Sequence, residues 1–511
     1  MNLTFNQGYN MPAQEIRTLS ELPQPFRLPF IGCGLSLRSN SIHRTFEKWA
    51  ENFAEPFMVD LFGSQALVLS SADHIQDVMI KRPKNFRRLS AIQSLLRELG
   101  VDGLFSAEGE AWKRQRRLVS QALTPAALQE LQTGVSTIAH RFLQGMNELA
   151  DRGKSIDVFE EACRFTIEVT TQLIFGEMQP STRNASDSES ANSAASKNML
   201  NIAELRENLG YIFATLGRRL FLPFPYWRYF ELGPDKKVKK AIQYVETQMN
   251  RLIAEARDSE AQNKKIRSML DILVAARDQE NPNLRLNDQE IFGNIMTLML
   301  AGEDTTAHTL TWSLHYLAHN PELAGQARAE AVRYLAIGNG HFDVIEPFGQ
   351  LPTLEALVYE VLRTRPPGPL VGLESIDDTM IGNIKVPAAT KLICLTRLAD
   401  RTAGLKLEQD RITQESVLSR RAELAEIRRD VARSTSVHNR HLAFGHGPRI
   451  CPGRGLALLE SALLLSHILS RFELQPESGR DLKECFAFVV KPATPVKIRL
   501  LHPGGAQSRH S

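Results

Sequence analysis

Residues 444–453 read Phe444-Gly445-His446-Gly447-Pro448-Arg449-Ile450-Cys451-Pro452-Gly453, and an apolar helical run begins at once with Arg454. Glycines and prolines surround a single cysteine. Lacking a Cβ, the glycines let backbone approach a flat group closely. Free amides around a sulfur donate to a thiolate, and the N-terminus of a following helix stabilises the negative charge. A lone cysteine in a turn is more often buried and inert. The company Cys451 keeps favours a thiolate ligand held at the head of a helix.

The totals fit such a site in a globular enzyme. The 511 residues are enough for a large core, and 43% hydrophobic with 23% charged residues is the balance of an ordinary globular protein. Lys+Arg number 61 against 58 Asp+Glu, a formal charge of +3 that predicts neither nucleic acid nor an anionic membrane as partner. The five cysteines, Cys33, Cys163, Cys394, Cys451 and Cys485, include no CxxC pair. That argues against a disulfide framework and against a cysteine-built zinc site. Residues 1–20 are polar, with neither the pattern of a signal peptide nor an apolar run able to span a bilayer. The greasiest stretch, 456–469, is broken by Glu460, Ser461 and Ser466 and reads as a buried helix. No membrane span and a cytoplasmic location are expected.

Outward from the cysteine loop, the chain is mostly helical. Pro23, Pro25 and Pro29 keep the leading segment extended, and 57–69 reads as two short strands. Helical periodicity then dominates from Ser71 for about three hundred residues. Residues 177–196, rich in Ser, Asn and Ala, predict a flexible surface connection. The best-defined helix opens at Asn287, where Glu290 three residues on completes a capping box, and continues to about Asn320 before Pro321. Another opens near Pro352 and stops before Pro366-Pro367. Strand-like runs follow at 384–387, 391–395, 486–490 and 496–501.

The spacing of Phe444, Gly447, Arg449, Cys451 and Gly453 resembles the haem-binding loop of the cytochrome P-450 family, in its soluble bacterial style. Two further segments follow in the family's order. Glu360-Val361-Leu362-Arg363 resembles the Glu-x-x-Arg pair that supports the haem loop from behind. Ala301-Gly302-Glu303-Asp304-Thr305-Thr306, in the middle of the long helix, resembles the segment that passes over the haem. Weaker likenesses agree: Trp112-x-x-x-Arg116, residues 22–34, and Phe86-Arg87-Arg88.

The resemblance implies a mainly α fold with small β-sheets, in which haem lies between the long central helix and the Cys-loop helix. Residues 21–503 would form that single domain, with 1–20 and 504–511 as tails. Cys451 would ligate the iron of haem b (iron protoporphyrin IX), with Trp112, Arg116, Ala301, Phe444, Arg449 and Gly453 around the cofactor. Asp304 and Thr305 would organise proton delivery, helped by a local widening of the helix. The implied reaction inserts one oxygen atom of O2 into a lipophilic substrate, by hydroxylation or epoxidation, in secondary metabolism or lipid oxidation. Electrons would come from NAD(P)H through a separate ferredoxin or flavodoxin and its reductase. Two alternatives within the resemblance are an isomerase or peroxide-driven enzyme, and a catalytically silent recruitment domain. An acid–threonine pair and an intact cysteine speak against them.

The pattern departs from the family in two places. An Arg ordinarily completes the Glu360–Arg363 pair from an aromatic and proline-rich segment, and no Pro, Trp, Tyr or Phe stands between Ala399 and Ala443. Arg433 is the expected third member, with Arg421 as competitor. Near Leu373-Glu374, where the family often has a propionate-binding Arg, there is none. For the substrate, Asn294 and Thr297 or Leu298 share the helix face of Ala301 and Thr305. Asn294 reads equally as a substrate handle or as a structural amide. Leu370, Val371, Leu373, Phe486 and Phe488 would line the distal wall.

Overall fold

The computed structural model describes residues 15–504 apart from 30, 38, 54–55, 177–200, 221, 223, 338–346, 404–411, 430–440 and 487–488. The expected linker at 177–196, Arg433, Phe488 and most of both tails therefore lie outside the described residues. Fifteen α-helices are present among the described residues. They are α1 (Ile42–Phe53), α2 (Ala72–Lys81), α3 (Ser90–Glu98), α4 (Gly109–Val119), α5 (Pro125–Asp151), α6 (Val158–Phe175), α7 (Ile202–Leu220) and α8 (Gly233–Ala261). After them come α9 (Met269–Ala275), α10 (Asp288–Ala318), α11 (Pro321–Ile337), α12 (Pro352–Thr364), α13 (Thr396–Ala403), α14 (Gln414–Arg429) and α15 (Arg454–Arg471).

Strands are short and marginal. β1 (Phe57–Leu61), β2 (Ser64–Leu69), β3 (Phe86–Arg88), β5 (Val371–Ser375) and β8 (Lys391–Cys394) form one sheet in the order β1-β2-β8-β5-β3. β4 (Ser155–Asp157), β12 (Lys497–Leu501) and β9 (Glu473–Pro476) make a second. Two hairpins complete the set, β6 (Thr379–Ile381) with β7 (Ile384–Val386), and β10 (Glu484–Phe486) with β11 (Val490–Pro492). The single strand expected over 486–490 is thus two strands of a hairpin.

The central helix begins where the capping box predicts. Asn287 Oδ1 accepts the Glu290 amide at 2.8 Å, and Glu290 Oε2 accepts the Asn287 amide at 3.1 Å. Its apolar residues are distributed around the whole circumference, so no face prefers water and α6, α8, α12 and α15 all pack against it. It is continuous α-helix from Asp288 to Ala318. The local widening implied near Gly302 is not present. The buried 456–469 helix is confirmed as α15, which starts three residues after Cys451.

Candidate active site

Two 3-10 turns, Leu442–Phe444 and Gly447–Arg449, shape the cysteine loop. The Cys451 amide donates to the Phe444 carbonyl at 2.8 Å, closing the loop on itself. Gly447 has φ +67°, and a Cβ there would stand 2.6 Å from the Met79 carbonyl at the end of α2, so only glycine allows this approach. The backbone amides of Gly453 and Arg454, at the head of α15, donate to the Cys451 sulfur, and the charges of Arg116 and Arg454 also favour its thiolate. Burial opposes them and wins, raising the thiol above its ordinary range. A bound metal ion reverses that balance, because it takes the place of the proton. Cys451 is nonetheless solvent-accessible. An atom deep in the fold that water can reach borders an interior cavity.

The same signature marks the middle of α10. Ala301 is exposed and Leu298 and Thr305 are half-buried, while Leu300, Thr306 and Ala307 are buried. Gly302, Glu303 and Asp304 are half-buried as well, and of these accessible positions Leu298, Ala301 and Thr305 are spaced about one turn apart and share a helix face. Thr305 Oγ1 donates to the Ala301 carbonyl at 2.6 Å. Its proton is committed there, so toward the cavity the hydroxyl acts as an acceptor. Burial raises the pKa of Asp304, against the opposing charges of Lys491 and Arg206 and a hydrogen bond from the Cys163 thiol. Burial and the neighbouring Asp304 push Glu303 up to about 7.

Trp112 and Arg449 meet, the guanidinium lying 4.4 Å from the ring centroid. Arg449 donates to the Ala107 carbonyl and to Glu108. Sequence reading missed that Glu108 also takes Arg82 at 3.1 Å and the Arg88 amide at 2.9 Å. Three guanidiniums, those of Arg82, Arg88 and Arg449, thus crowd around one carboxylate. Burial depresses all three, and neighbouring guanidiniums add to it at Arg88 and at Arg449, which falls to about 9. The Nε atoms of Arg82 and Arg449 are buried without a hydrogen-bond partner. Surplus buried cation with orphaned donors suits an anionic ligand, and the two carboxylates of haem supply that charge. The donor set around Cys451 suits its iron. β3 and β5 place Arg88 directly opposite Leu373.

Behind the loop, Glu360 is fully buried and holds Arg363 through two bonds of 3.0 and 2.8 Å. A second guanidinium on this carboxylate is that of Arg420 of α14, whose Nε donates at 2.9 Å. The competitor Arg421 is thereby set aside, and the expected Arg433 lies outside the described residues. Arg421, the next residue on the helix, points instead to Thr353 at 3.0 Å and Glu330 at 3.5 Å. Arg420 and Arg363 also act on buried Asp400, which accepts the Leu442 amide with both oxygens at 2.9 Å. Leu442 opens the cysteine loop, so α14 and α12 are linked to the loop through charge and one amide.

Asn294 resolves to its structural reading. It is fully buried, accepts the Leu104 amide at 2.8 Å, and donates to Gln115 at 3.1 Å and the Glu290 carbonyl at 2.7 Å. Thr297 is likewise occupied, donating to the Gly293 carbonyl at 2.8 Å. Asn294→Leu should therefore destabilise the fold by about 2–4 kcal/mol, since it orphans a buried amide and overpacks the site. Thermal or urea unfolding checks this, and an unchanged midpoint contradicts it. The distal wall is also narrower than expected. Leu373 belongs to the core under the large sheet, and Phe486 packs on His43 with ring centroids 5.4 Å apart. Leu298, Leu370 and Val371 keep some access.

A family model described as cytochrome P450 matches residues 22–401 and 428–500. Among similar proteins is a steroid 17-alpha-hydroxylase/17,20 lyase of Oryzias latipes, 26% identical over 494 residues, covering 92% of this chain and 90% of that protein. A mitochondrial cholesterol side-chain cleavage enzyme of Mesocricetus auratus is 24% identical, with 98% and 92% covered. A 3,9-dihydroxypterocarpan 6A-monooxygenase of Glycine max is 24% identical, with 93% and 91% covered.

Proposed function

This chain belongs to the cytochrome P450 family and is a haem-dependent monooxygenase supplied with electrons by a redox partner, and from that premise we propose that it oxidises a medium to large lipophilic molecule bound against the Leu298–Ala301–Thr305 face of α10. The observation that carries the reading is the accessibility of that face and of Cys451 inside the fold. When bound, haem supplies the dioxygen chemistry that a thiolate ligand favours.

The chain's own residues divide the remaining work. Cys451 would hold the iron, and the amides of Gly453 and Arg454 would hold the sulfur's charge. Arg88, Arg116 and Arg449 would take the cofactor's carboxylates, with Trp112 stacked on Arg449 and Phe444 at the loop's start. Ala301 leaves room above the cofactor because it ends at Cβ. Asp304 carries a proton toward the cavity, aided by a pKa that burial raises. Thr305 accepts a hydrogen bond from the proton-bearing group and keeps it aimed. The substrate is held mainly by burial of apolar surface. A steroid, terpenoid, polyketide or fatty acyl compound suits such a wall. A small soluble carrier, a ferredoxin or flavodoxin with its reductase drawing on NAD(P)H, would deliver the electrons. Hydroxylation or epoxidation in secondary metabolism or lipid oxidation is the role proposed. No helix among the described residues is long and apolar enough to cross a membrane.

An optical titration with candidate lipophilic compounds tests the substrate class through the haem spin state. No response to any apolar ligand would count against it. In a second test, Thr305→Ala should bind haem normally yet divert reducing equivalents to peroxide. Productive turnover should fall on the order of 10²-fold, the lower range for loss of a positioned proton path. Unchanged coupling of electron use to product would remove Thr305 from proton delivery.

A further inference from the structure

The turn between α7 and α8 carries large apolar side chains on the outside of the molecule. Tyr229 is 73% exposed and Phe224 and Phe230 are each 55% exposed, with Leu222, Leu232 and Tyr211 of α7 exposed as well. An apolar residue standing alone on a surface needs no explanation, but a group of them marks a place of contact.

This turn is built to hold its rings in place. Trp227 Nε1 and Arg228 Nε both donate to the Glu98 carboxylate of α3, each at 2.8 Å. The Arg219 guanidinium of α7 lies 4.6 Å from the Trp227 ring centroid. Above these anchors the outer rings pack on one another. Phe224 and Tyr229 stack with centroids 5.3 Å apart and planes inclined by 11°, and Tyr226 meets Phe230 at 5.5 Å. The backbone is fixed from below, while the rings remain open to what lies outside.

Positive charge gathers at the same place. Between Arg228 and Lys240 the chain has five cations and two acids, an excess that the near balance of the whole sequence conceals. One of the acids, Asp235, is buried and occupied by Arg218 at 3.1 Å and Arg219 at 2.9 Å. The other, Glu231, stands between Phe230 and Leu232 and takes Lys239 at 3.0 Å. Lys237 Nζ lies 5.6 Å from the ring centroid of Tyr211. These two contacts join the first turns of α8 to the aromatic side chains as one continuous surface. Lys236, Lys237 and Lys240 are exposed and make no ion pair among the described residues.

Tyrosine and tryptophan rings settle at the boundary between water and hydrocarbon, and phenylalanine and leucine enter the acyl side of it. Lysines beside them meet anionic headgroups, with flexible stems that reach the phosphate level. We propose that this aromatic and basic surface seats the protein on the face of an anionic lipid bilayer. Attachment of this kind needs no spanning helix, and it holds whichever compound the enzyme oxidises.

The test is co-flotation of the haem-loaded full chain with vesicles of phosphatidylcholine alone or of phosphatidylcholine mixed with phosphatidylglycerol. The protein should float with the mixed vesicles, and much less with phosphatidylcholine alone or at high salt. Replacing Lys236, Lys237 and Lys240 together by Gln should weaken binding to the mixed vesicles on the order of 10²-fold. Replacing Phe224, Tyr229 and Phe230 together by Ser should weaken it at least about tenfold at every salt concentration. An unchanged haem spectrum in both variants shows that the fold is intact, since all six positions lie on the surface. Absence of wild-type protein from the mixed-vesicle fraction, or full binding by either variant, overturns the proposal. Wild-type protein that ignores vesicles but self-associates, with the Ser variant monomeric, also overturns it and gives the surface to a second copy of the chain.

Discussion

Cys451→Ala is expected to abolish the thiolate-type absorption band of the reduced, CO-bound protein entirely. Ser or Ala at Cys33, Cys163, Cys394 or Cys485 should leave the band in place. The contrast rests on surroundings that no other cysteine has. Cys451 alone stands at the head of a helix whose first amides point at its sulfur. Cys33 donates to the Asp60 carbonyl, while burial in apolar surroundings pushes Cys394 up to about 12. Cys163 faces two acids, and burial together with their charge holds its thiol protonated. A thiol that keeps its proton is a poor ligand. Retention of the band in Cys451→Ala would move the iron ligand elsewhere and with it the whole site.

Arg420→Ala is expected to give poorly folded or haem-poor protein, whereas Arg421→Ala should cost little. Removing one partner from a buried charge network costs on the order of 3–5 kcal/mol. Two consequences add at Arg420. Glu360, fully buried, loses one of its two guanidiniums. Asp400, already pushed up to about 7 by burial, loses a charge that favours its ionised form. A neutral Asp400 grips the Leu442 amide less firmly, and the cysteine loop begins there. Arg421 is substantially more exposed and bonds Thr353 and Glu330 at the edge of the network, where solvent screens its charge. Haem content per protein and the unfolding midpoint check both variants. Equal losses in the two would dissolve the distinction between them.

What could be read from sequence was what is local. The capping box at Asn287, the proline stops at Pro321 and Pro366, and the glycines around Cys451 each fix geometry within a few residues, and each appears where expected. The misses are long-range. Asn294 finds Leu104 and Gln115, roughly two hundred residues away in sequence, and only the packed fold shows that its amide has nothing left for a substrate. Arg88 comes to stand opposite Leu373 because β3 lies beside β5, a pairing that composition does not announce. Glu108 gave no signal, being an ordinary acid at the start of a helix. Arg420 escaped notice for a different reason: which of two adjacent arginines turns inward depends on the phase of α14 against α12, and that phase turns Arg420 to Glu360 and Arg421 to Thr353.

That phase bears on how the chain tolerates editing. The family match passes from residue 401 to residue 428, so alignment alone would mark the stretch between as an optional addition of the kind surface loops accept. Arg420 lies inside it. Cutting the protein back to the family's common length would excise a guanidinium that Glu360 holds at 2.9 Å. In this chain the addition and the buried carboxylate it serves can only be exchanged together.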